Sequence, residues 1–292
     1  MSLEEALARC ATETEALLDR LLPPHGFPAS RITEAMRYAA LGAGKRLRPF
    51  LVVESAALFG VPREQALRAG AALECVHCYS LVHDDLPAMD DDDMRRGRPT
   101  AHRAFDEATA ILAGDALLTY AFDILSSPET HSSPEVRLTL VSRLARAAGA
   151  AGMVSGQMLD IEAEASATQA LEAITTIQTL KTGALFRFAC EAGAVMGGAD
   201  PDALLRYASK IGLAFQIADD ILDIESTPEA LGKATQKDRG KGKATFVDVL
   251  GLTAAKAQAD TLVAEAISSL APYGDRAATL NSVAQFIVTR RK

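Results

Sequence analysis

Two aspartate-rich segments of this sequence have the composition of a metal site. The segment DDLPAMD runs from Asp84 to Asp90. The segment DDILD runs from Asp219 to Asp223 and includes Asp220. On a helix, Asp219 and Asp223 share a face because they are four residues apart. Neighbouring carboxylates repel one another unless a cation joins them, and oxygen ligands suit Mg²⁺. DDILD therefore predicts a magnesium site. For either acidic segment taken alone, a solvated acidic helix end is the alternative.

The first segment requires a departure from helical geometry. Asp84 and Asp90 are six residues apart, which turns them away from each other on an ideal helix, and Pro87 lies between them. Both acidic segments follow aliphatic stretches, so we expect the carboxylates to emerge from a buried wall and to share one metal site. The next carboxylates, at 91–93, are interpreted as helix-end charges that orient nearby arginines.

An abrupt basic patch follows the first acidic segment. It contains Arg95, Arg96, Arg98 and Arg103. Guanidinium groups match phosphate oxygens in bidentate geometry, so Arg95 and Arg96 are predicted to contact a phosphate-bearing substrate. Part of the patch is expected to form salt bridges with the adjacent aspartates instead.

Three further segments combine cations with glycine. In GAGKRLRP, Gly44 lets the backbone approach a ligand, and Lys45 and Arg48 are spaced by about one helical turn. The segment is not a P-loop, because the first glycine and the final hydroxyl residue of that motif are missing. From KTGALF and the lysine-rich stretch 231–246, the residues chosen as phosphate or hydroxyl contacts are Lys181, Thr182, Lys233 and Lys243.

Apolar residues recur at helical spacing along almost the whole sequence, and no strand-period alternation is sustained. Breaks rich in proline and glycine separate eight to ten predicted helices, and no segment has the character of an interdomain linker. The sequence predicts one all-α domain over residues 1–292. Stretches 70–86 and 205–225 are apolar on nearly every face, which is typical of helices at the centre of a bundle.

Composition excludes some classes of function. The net charge is −8, so no global field attracts nucleic acid or an anionic membrane. No apolar stretch is expected to span a membrane, and the N-terminus has no signal-peptide pattern, which predicts a cytoplasmic protein. The four cysteines are interpreted as buried thiols. Cys75 and Cys78 could suggest zinc, but no second ligand pair follows at zinc-site spacing.

The order of these segments resembles the trans-prenyltransferases of the polyprenyl diphosphate synthase family. GKRLRP, ECVHCYSLVHDDLPAMDDDDMRRGRPTAH, KTGALF, FQIADDILD, LGK and GKAT occur in the family's order over nearly the whole chain. The resemblance implies an isoprenoid synthase fold, a bundle of ten or more helices around a central cavity. It also implies that the two aspartate motifs face each other with three Mg²⁺ ions between them, and that the protein is a homodimer.

The resemblance also implies roles for individual residues. The metal ligands are Asp84, Asp85, Asp90 and Asp219, supported by Asp220 and Asp223. The allylic diphosphate is held by Arg95, Lys181, Lys233 and Gln216. Isopentenyl diphosphate is held by Lys45, Arg48, His77 and Arg96. Thr182 and Gln216 supply dipoles near a carbocation, and the lysine-rich stretch closes to exclude water.

The expected reaction is the condensation of isopentenyl diphosphate with dimethylallyl and geranyl diphosphate to give farnesyl diphosphate. Tyr79 lies five residues before Asp84, so its ring could form the floor beneath the growing chain, with Ser80 beside it. The alternative is that Tyr79 is a core residue, and a geranylgeranyl diphosphate synthase is the second reading of function. A terpene cyclase, a noncatalytic subunit and an all-α pyrophosphatase fit the two acidic and two basic sets less well.

Overall fold

The computed structural model describes residues 2–25, 27–42, 44–164, 170–225 and 244–290. These residues form fourteen α-helices and one two-stranded hairpin, which confirms the predicted all-α class. The number of helices exceeds the eight to ten predicted from turn signals. Part of the excess comes from short helices, since only two residues separate Ala101–Ala104 from the next helix and only Gly251 follows Phe246–Leu250.

The elements follow one another in this order: α1 Leu3–Leu21, α2 Ser30–Ala40, α3 Leu47–Ala57, α4 Arg63–Asp84, β1 Met94–Arg95, β2 Arg98–Pro99, α5 Ala101–Ala104, α6 Glu107–Ser126, α7 Pro134–Ala148, α8 Met153–Glu164, α9 Leu171–Gln178, a π-helical segment Thr179–Gly183, α10 Ala184–Met196, α11 Asp202–Glu225, α12 Phe246–Leu250, α13 Leu252–Ser269, a 3₁₀ segment Ala271–Ala277 and α14 Ala278–Thr289.

The chain divides into two compact units. The first comprises Met1–Val53 and Val61–Val141, and the second comprises Glu54–Gly60 and Ser142–Lys292. Each unit has its own buried residues and its own part of the predicted site, and each is described separately. The single domain expected over 1–292 stays a prediction.

Helix α4 is the centre of the first unit. It packs mainly against α6 and also contacts α1 and α2. Small residues on α4 permit close approach: a Cβ added at Gly70 would lie 3.0 Å from the Cα of Pro49 in α3. Thirteen residues of α4 are buried, as the apolar pattern of the sequence required for a central helix. Burial of this helix anchors the acidic segment that follows it.

Helix α11 has the same place in the second unit. It packs against α13 and α10, and Leu204, Ile211 and Ile217 are among its buried residues. The buried Tyr207 donates a hydrogen bond of 2.6 Å to the carbonyl of Leu280 in α14. Because a buried hydroxyl needs a partner, this bond fixes α14 against α11. The helix carries all of DDILD at its C-terminal end.

Helix α6 corrects the expectation that no apolar stretch approaches the length of a membrane span. By length and composition it is the one helix within the described ranges that could cross a membrane. It packs against α4 and α2, and the core helix of a soluble protein passes the same test. Length and composition do not decide whether α6 enters a membrane. The expected absence of membrane insertion therefore stays a prediction.

The four cysteines, at positions 10, 75, 78 and 190, are buried and form no disulfide. Cys75 and Cys78 lie on the regular helix α4, not in a metal-binding turn. Burial raises the pKa of Cys78 to about 12, so this thiol is neutral at pH 7. The interpretation of the cysteines as buried thiols is confirmed.

Candidate active site

The first aspartate segment leaves the helix at Asp84 and closes on itself. The amide of Asp90 donates a hydrogen bond of 2.8 Å to the carbonyl of Asp84, and the amide of Asp92 donates one of 3.2 Å to Asp85. Asp91 adopts a positive φ of 51°, which helps the chain to turn back. The departure from helical geometry is present, and it brings Asp90 back beside Asp84 despite the six-residue spacing.

Asp85 is held by Arg95. The Nε of Arg95 lies 2.8 and 3.0 Å from the two carboxylate oxygens of Asp85, and Nη2 lies 2.6 Å from one of them. Burial raises the pKa of Asp85, and the Arg95 guanidinium partly offsets that effect. The expected pairing of patch arginines with neighbouring aspartates is therefore present here, and also between Arg103 and Asp93 at 2.5 Å. If Asp85 binds a metal ion, its carboxylate oxygens would be shared between the metal ion and Arg95.

Arg96 lies at the tip of the β1–β2 hairpin. Arg96 and Gly97 have φ values of 53° and 75°, and positive φ at both central residues is what a type I′ hairpin turn requires. A Cβ added at Gly44 would lie 2.7 Å from Nη1 of Arg96. The absence of a side chain at Gly44 thus lets the guanidinium of Arg96 lie against the GAGKRLRP segment. Approach of a ligand to Gly44 stays a prediction.

His77 lies among arginines. Nη1 of Arg48 is 3.4 Å from Nε2 of His77. Burial, followed by the charges of Arg48, Arg96, Arg95 and Arg46, lowers the pKa of His77 well below its usual value. A neutral imidazole surrounded by guanidinium groups offers hydrogen bonds within a strongly positive field, which suits a diphosphate. The structure thus brings together Arg48, His77 and Arg96, three of the residues expected to hold isopentenyl diphosphate.

A cleft that is open to solvent adjoins this cluster. Its polar lining includes Asp85, Arg95, Arg96 and Arg98. The Cζ of Arg98 lies 4.0 Å from the ring centroid of Tyr38, a cation–π geometry that keeps the guanidinium at the wall. Lys45, the other residue expected to hold isopentenyl diphosphate, is exposed to solvent. The cleft therefore presents a mainly basic polar wall to solvent.

In the second unit, KTG forms part of the π-helical segment between α9 and α10. Insertions of π-helix into α-helices are frequent at functional sites. The Nζ of Lys181 lies 2.8 Å from Oδ2 of the buried Asp160 on α8. Gly156 faces the backbone of Lys181, where an added Cβ would be 2.2 Å from the amide nitrogen. Lys181 is thus positioned by both an ion pair and close packing.

Thr182, Gln216 and Asp220 form one hydrogen-bonded chain. The Thr182 hydroxyl donates to Oε1 of Gln216 at 3.4 Å, and Nε2 of Gln216 donates to Oδ1 of Asp220 at 3.1 Å. The amide of Phe246 donates to Oδ2 of Asp220 at 2.8 Å. Both oxygens of this buried carboxylate therefore accept hydrogen bonds, and Asp220 fixes the orientation of the amide that adjoins Thr182.

Asp219 and Asp223 lie on regular helix in α11, so the predicted i and i+4 spacing on one face is confirmed. Oδ1 of Asp219 accepts a hydrogen bond of 2.5 Å from Arg290, whose guanidinium lies 4.0 Å from the ring centroid of Phe215. Sequence analysis missed Arg290 and Asp160. Asp160 had a weak signal as the first acid after the mostly apolar stretch 150–159, whereas nothing in the sequence distinguished Arg290 from the other arginines.

The donor set fits Mg²⁺ that is completed by substrate. No group of three or more His, Cys, Asp or Glu side chains is arranged to hold a metal by itself within the residues that the structure covers. Mg²⁺ usually keeps several waters and is bound by one or two carboxylates together with substrate phosphates. Asp84 and Asp90 in the first unit, and Asp219 and Asp223 in the second, are carboxylates of this kind. Their role as metal ligands stays a prediction. Lys233 and Lys243 lie outside the described residues.

Tyr79 and Ser80 lie on α4 one turn before Asp84. The ring of Tyr79 is buried and meets His83 edge to face, with centroids 5.7 Å apart. Burial, and then the Asp84 charge, raises the pKa of Tyr79. The Ser80 hydroxyl donates to the carbonyl of His77 at 2.9 Å. Tyr79 is therefore a rigid aromatic group close to the acidic loop, and its role in chain length stays a prediction.

Comparison with known proteins defines the class. The family model "Polyprenyl synthetase" matches residues 29–277, and the chain belongs to this family. The chain is 44% identical to the farnesyl diphosphate synthase of Escherichia coli, with all of both chains covered. It is 42% identical to a geranylgeranyl diphosphate synthase of Cyanophora paradoxa, covering 91% of this chain and 90% of that one.

A solved structure confirms the fold. The crystal structure of a FPP/GFPP synthase from Zymomonas mobilis is similar with a TM-score of 0.90 and 50% identity. The similarity covers 98% of this chain and 99% of that chain. The predicted family and fold class are thus confirmed, while the relatives' names differ in the length of the prenyl product.

Proposed function

We propose that this protein is a Mg²⁺-dependent prenyltransferase that condenses isopentenyl diphosphate with dimethylallyl diphosphate and then with geranyl diphosphate. The final product is (E,E)-farnesyl diphosphate, and one diphosphate is released at each condensation. The observation that carries the proposal is the recurrence of one arrangement: an acidic segment at the end of a buried helix, accompanied by placed cationic side chains. Full-length similarity to a farnesyl diphosphate synthase supports the same reaction.

The roles proposed for individual residues follow from charge. Arg48, His77 and Arg96, with Lys45, bind the diphosphate of isopentenyl diphosphate, while Arg95 and Lys181 bind the allylic diphosphate. Mg²⁺, when bound by the aspartates, would neutralise diphosphate charge and make it a better leaving group. The aspartates proposed as ligands are Asp84, Asp85, Asp90 and Asp219, with Asp220 and Asp223 in support.

The allylic C–O bond breaks with its electron pair on the departing diphosphate, where Arg95 and Lys181 stabilise the developing negative charge. The double bond of isopentenyl diphosphate then supplies the electron pair for the new C–C bond. A proton is lost from the adduct to the released diphosphate, which leaves a new double bond. The oxygens of Thr182 and Gln216 supply dipoles toward the carbocation, and Asp220 holds that amide in place.

Product length rests on a separate argument. The buried ring of Tyr79 lies one turn before Asp84 on a rigid helix, so it would block extension of the prenyl chain beyond C15. A geranylgeranyl diphosphate synthase is the second candidate, because a relative of that name is almost as similar to this chain. The remaining proposals, also untested, are a single domain, a homodimer, a cytoplasmic location and no binding to nucleic acid.

The reaction is tested by incubating the protein with labelled isopentenyl diphosphate, Mg²⁺ and either dimethylallyl or geranyl diphosphate. We expect C15 diphosphate from both allylic substrates, and no product from Asp84→Asn or Asp219→Asn variants that remain folded. Absence of any elongated product from the wild-type protein would refute the proposal. Release of a hydrocarbon without isopentenyl diphosphate would indicate a cyclase, and hydrolysis alone would indicate a pyrophosphatase.

A further inference from the structure

Arg46 differs from the other cations of its segment because it points inward. The exposed fraction of its side chain is 1%, and that of its partner Glu74 on α4 is 3%. Nη1 of Arg46 lies 2.6 Å from Oε1 of Glu74. Burial by itself would lower the pKa of Arg46, but several neighbouring groups, led by the charge of Glu74, together raise it, so the guanidinium stays charged. Because this ion pair is buried, it does not contribute to solubility, and another role must account for it.

The same guanidinium binds the end of α2. Nη2 of Arg46 lies 2.7 Å from the carbonyl of Ala40, the last residue of α2, and 2.7 Å from the carbonyl of Gly42. The final carbonyls of a helix have no partner within it, and Arg46 supplies a donor to the last carbonyl of α2, at Ala40, and to that of Gly42 just beyond it. One side chain therefore connects α2, the GAGKRLRP segment and α4.

The backbone of Arg46 begins α3 in an unfavourable conformation. Its carbonyl accepts a hydrogen bond of 3.0 Å from the amide of Phe50, and its φ is 49°. A residue other than glycine at positive φ is strained, and this conformation persists only where surrounding contacts hold it. The contacts of the Arg46 side chain with Glu74 and the two carbonyls are those that hold it.

This anchor determines where the neighbouring cations lie. Glu74 and His77 are three residues apart on α4 and share a face, while Arg46 and Arg48 flank the start of α3. Fixing Arg46 on Glu74 thus fixes Arg48 beside His77, at the observed 3.4 Å. We propose that Arg46 is a positioning residue that aligns Lys45 and Arg48 with His77 for binding the diphosphate of isopentenyl diphosphate. This inference rests on the proposed function.

A positioning role and a purely structural role for Arg46 predict different effects on ligand binding. Replacing a buried ion pair by apolar residues of similar volume is often neutral or stabilising, whereas removing one partner is strongly destabilising. The double variant Arg46→Met/Glu74→Met should therefore fold. It lacks the hydrogen bonds to the carbonyls of Ala40 and Gly42 that position the GAGKRLRP segment. A purely structural role would leave ligand affinity unchanged in this variant.

The decisive measurement is calorimetric binding of isopentenyl diphosphate alone, which has no allylic partner to react with. We expect the double variant to remain folded with a lowered thermal midpoint, because the two carbonyl hydrogen bonds are lost. At a temperature where it is folded, it should bind isopentenyl diphosphate about 10-fold to 100-fold more weakly, as for loss of one charge-assisted hydrogen bond. KM for geranyl diphosphate should change less than twofold. Arg46→Lys should weaken binding less than the double variant does, because it keeps the charge beside Glu74.

A more exposed ion pair at the start of the same helix serves as the control. Arg63, the first residue of α4, pairs with Glu13 at 2.7 Å and lies outside the basic cluster. Arg63→Met/Glu13→Met should bind isopentenyl diphosphate as the wild type does. Unchanged affinity in the Arg46→Met/Glu74→Met variant, or an equal loss for both substrates, would overturn the proposal. If the wild type elongates nothing but binds inorganic diphosphate and the double variant does not, the proposed function fails while the positioning role stands.

Discussion

Substitution of Gly156 by alanine tests whether the π-helical segment must sit where it does. Gly156 lies on α8, and its missing side chain leaves room for the neighbouring segment. An added Cβ would be 2.2 Å from the amide nitrogen and 2.6 Å from the Cα of Lys181. Both obstructing atoms are backbone, so no side-chain rotation can relieve the overlap. The helix α8 and the segment carrying Lys181 and Thr182 must move apart.

The size of the displacement can be worked from these distances. Reaching ordinary contact at about 3.4 Å from 2.2 Å requires a shift of roughly 1.2 Å. Inserting a methyl group into a packed site typically costs about 1–3 kcal/mol of stability. A misplacement of about 1 Å in a catalytic geometry can cost about 100-fold in rate. We therefore expect kcat/KM for condensation to fall by about 100-fold, through displacement of Lys181 and Thr182.

The assay compares two glycine variants for condensation rate and thermal unfolding. Gly193→Ala is the matched control, because its Cβ would lie 2.4 Å from the backbone nitrogen of Ala56, away from the site residues of its unit. Both variants should lose similar stability, but only Gly156→Ala should lose activity at a temperature where both are folded. Equal kcat/KM in the two variants would refute the positional reasoning.

Three further predictions use other parts of the chain. Tyr79→Ala should lengthen the product to C20 or more, since it removes the buried ring before the acidic loop; unchanged C15 output by chromatography would exclude Tyr79 as the floor. Chelation of divalent cations should abolish condensation, and added Mg²⁺ should restore it; full activity after exhaustive chelation would contradict the metal assignment. Asp106 caps α6 and has its pKa lowered to about 2 by the Thr109 amide and Arg31. Because the folded pKa lies below the unfolded value, the stabilisation is present above about pH 4 and lost as pH falls toward 2. The destabilisation of Asp106→Ala in chemical denaturation should accordingly be smaller at pH 3 than at pH 6, and equal values would rule out this ionisation.

The helices and the acidic ligand candidates could be predicted because they depend on local pattern. The helical spacing of apolar residues in 70–86 and 205–225 can be read directly from the sequence. The central helices α4 and α11 occupy these stretches. The need to break the helix between Asp84 and Asp90 followed from their spacing and from Pro87. The cations of the GKRLRP and MRRG segments were also evident, since they stand out in an acidic chain.

The partners of the charged groups could not be predicted, because burial and long-range contacts decide them. Within GKRLRP nothing in the sequence distinguishes Arg46, which is buried on Glu74, from Lys45, which is exposed. Arg290 meets Asp219 across 71 positions, and Lys181 meets Asp160 across 21. A charge is stabilised either by water or by an opposite charge, and only the tertiary structure determines which of the two each side chain has. The sequence by itself determined the chemistry that is available, and packing decided which groups are held in place to perform it.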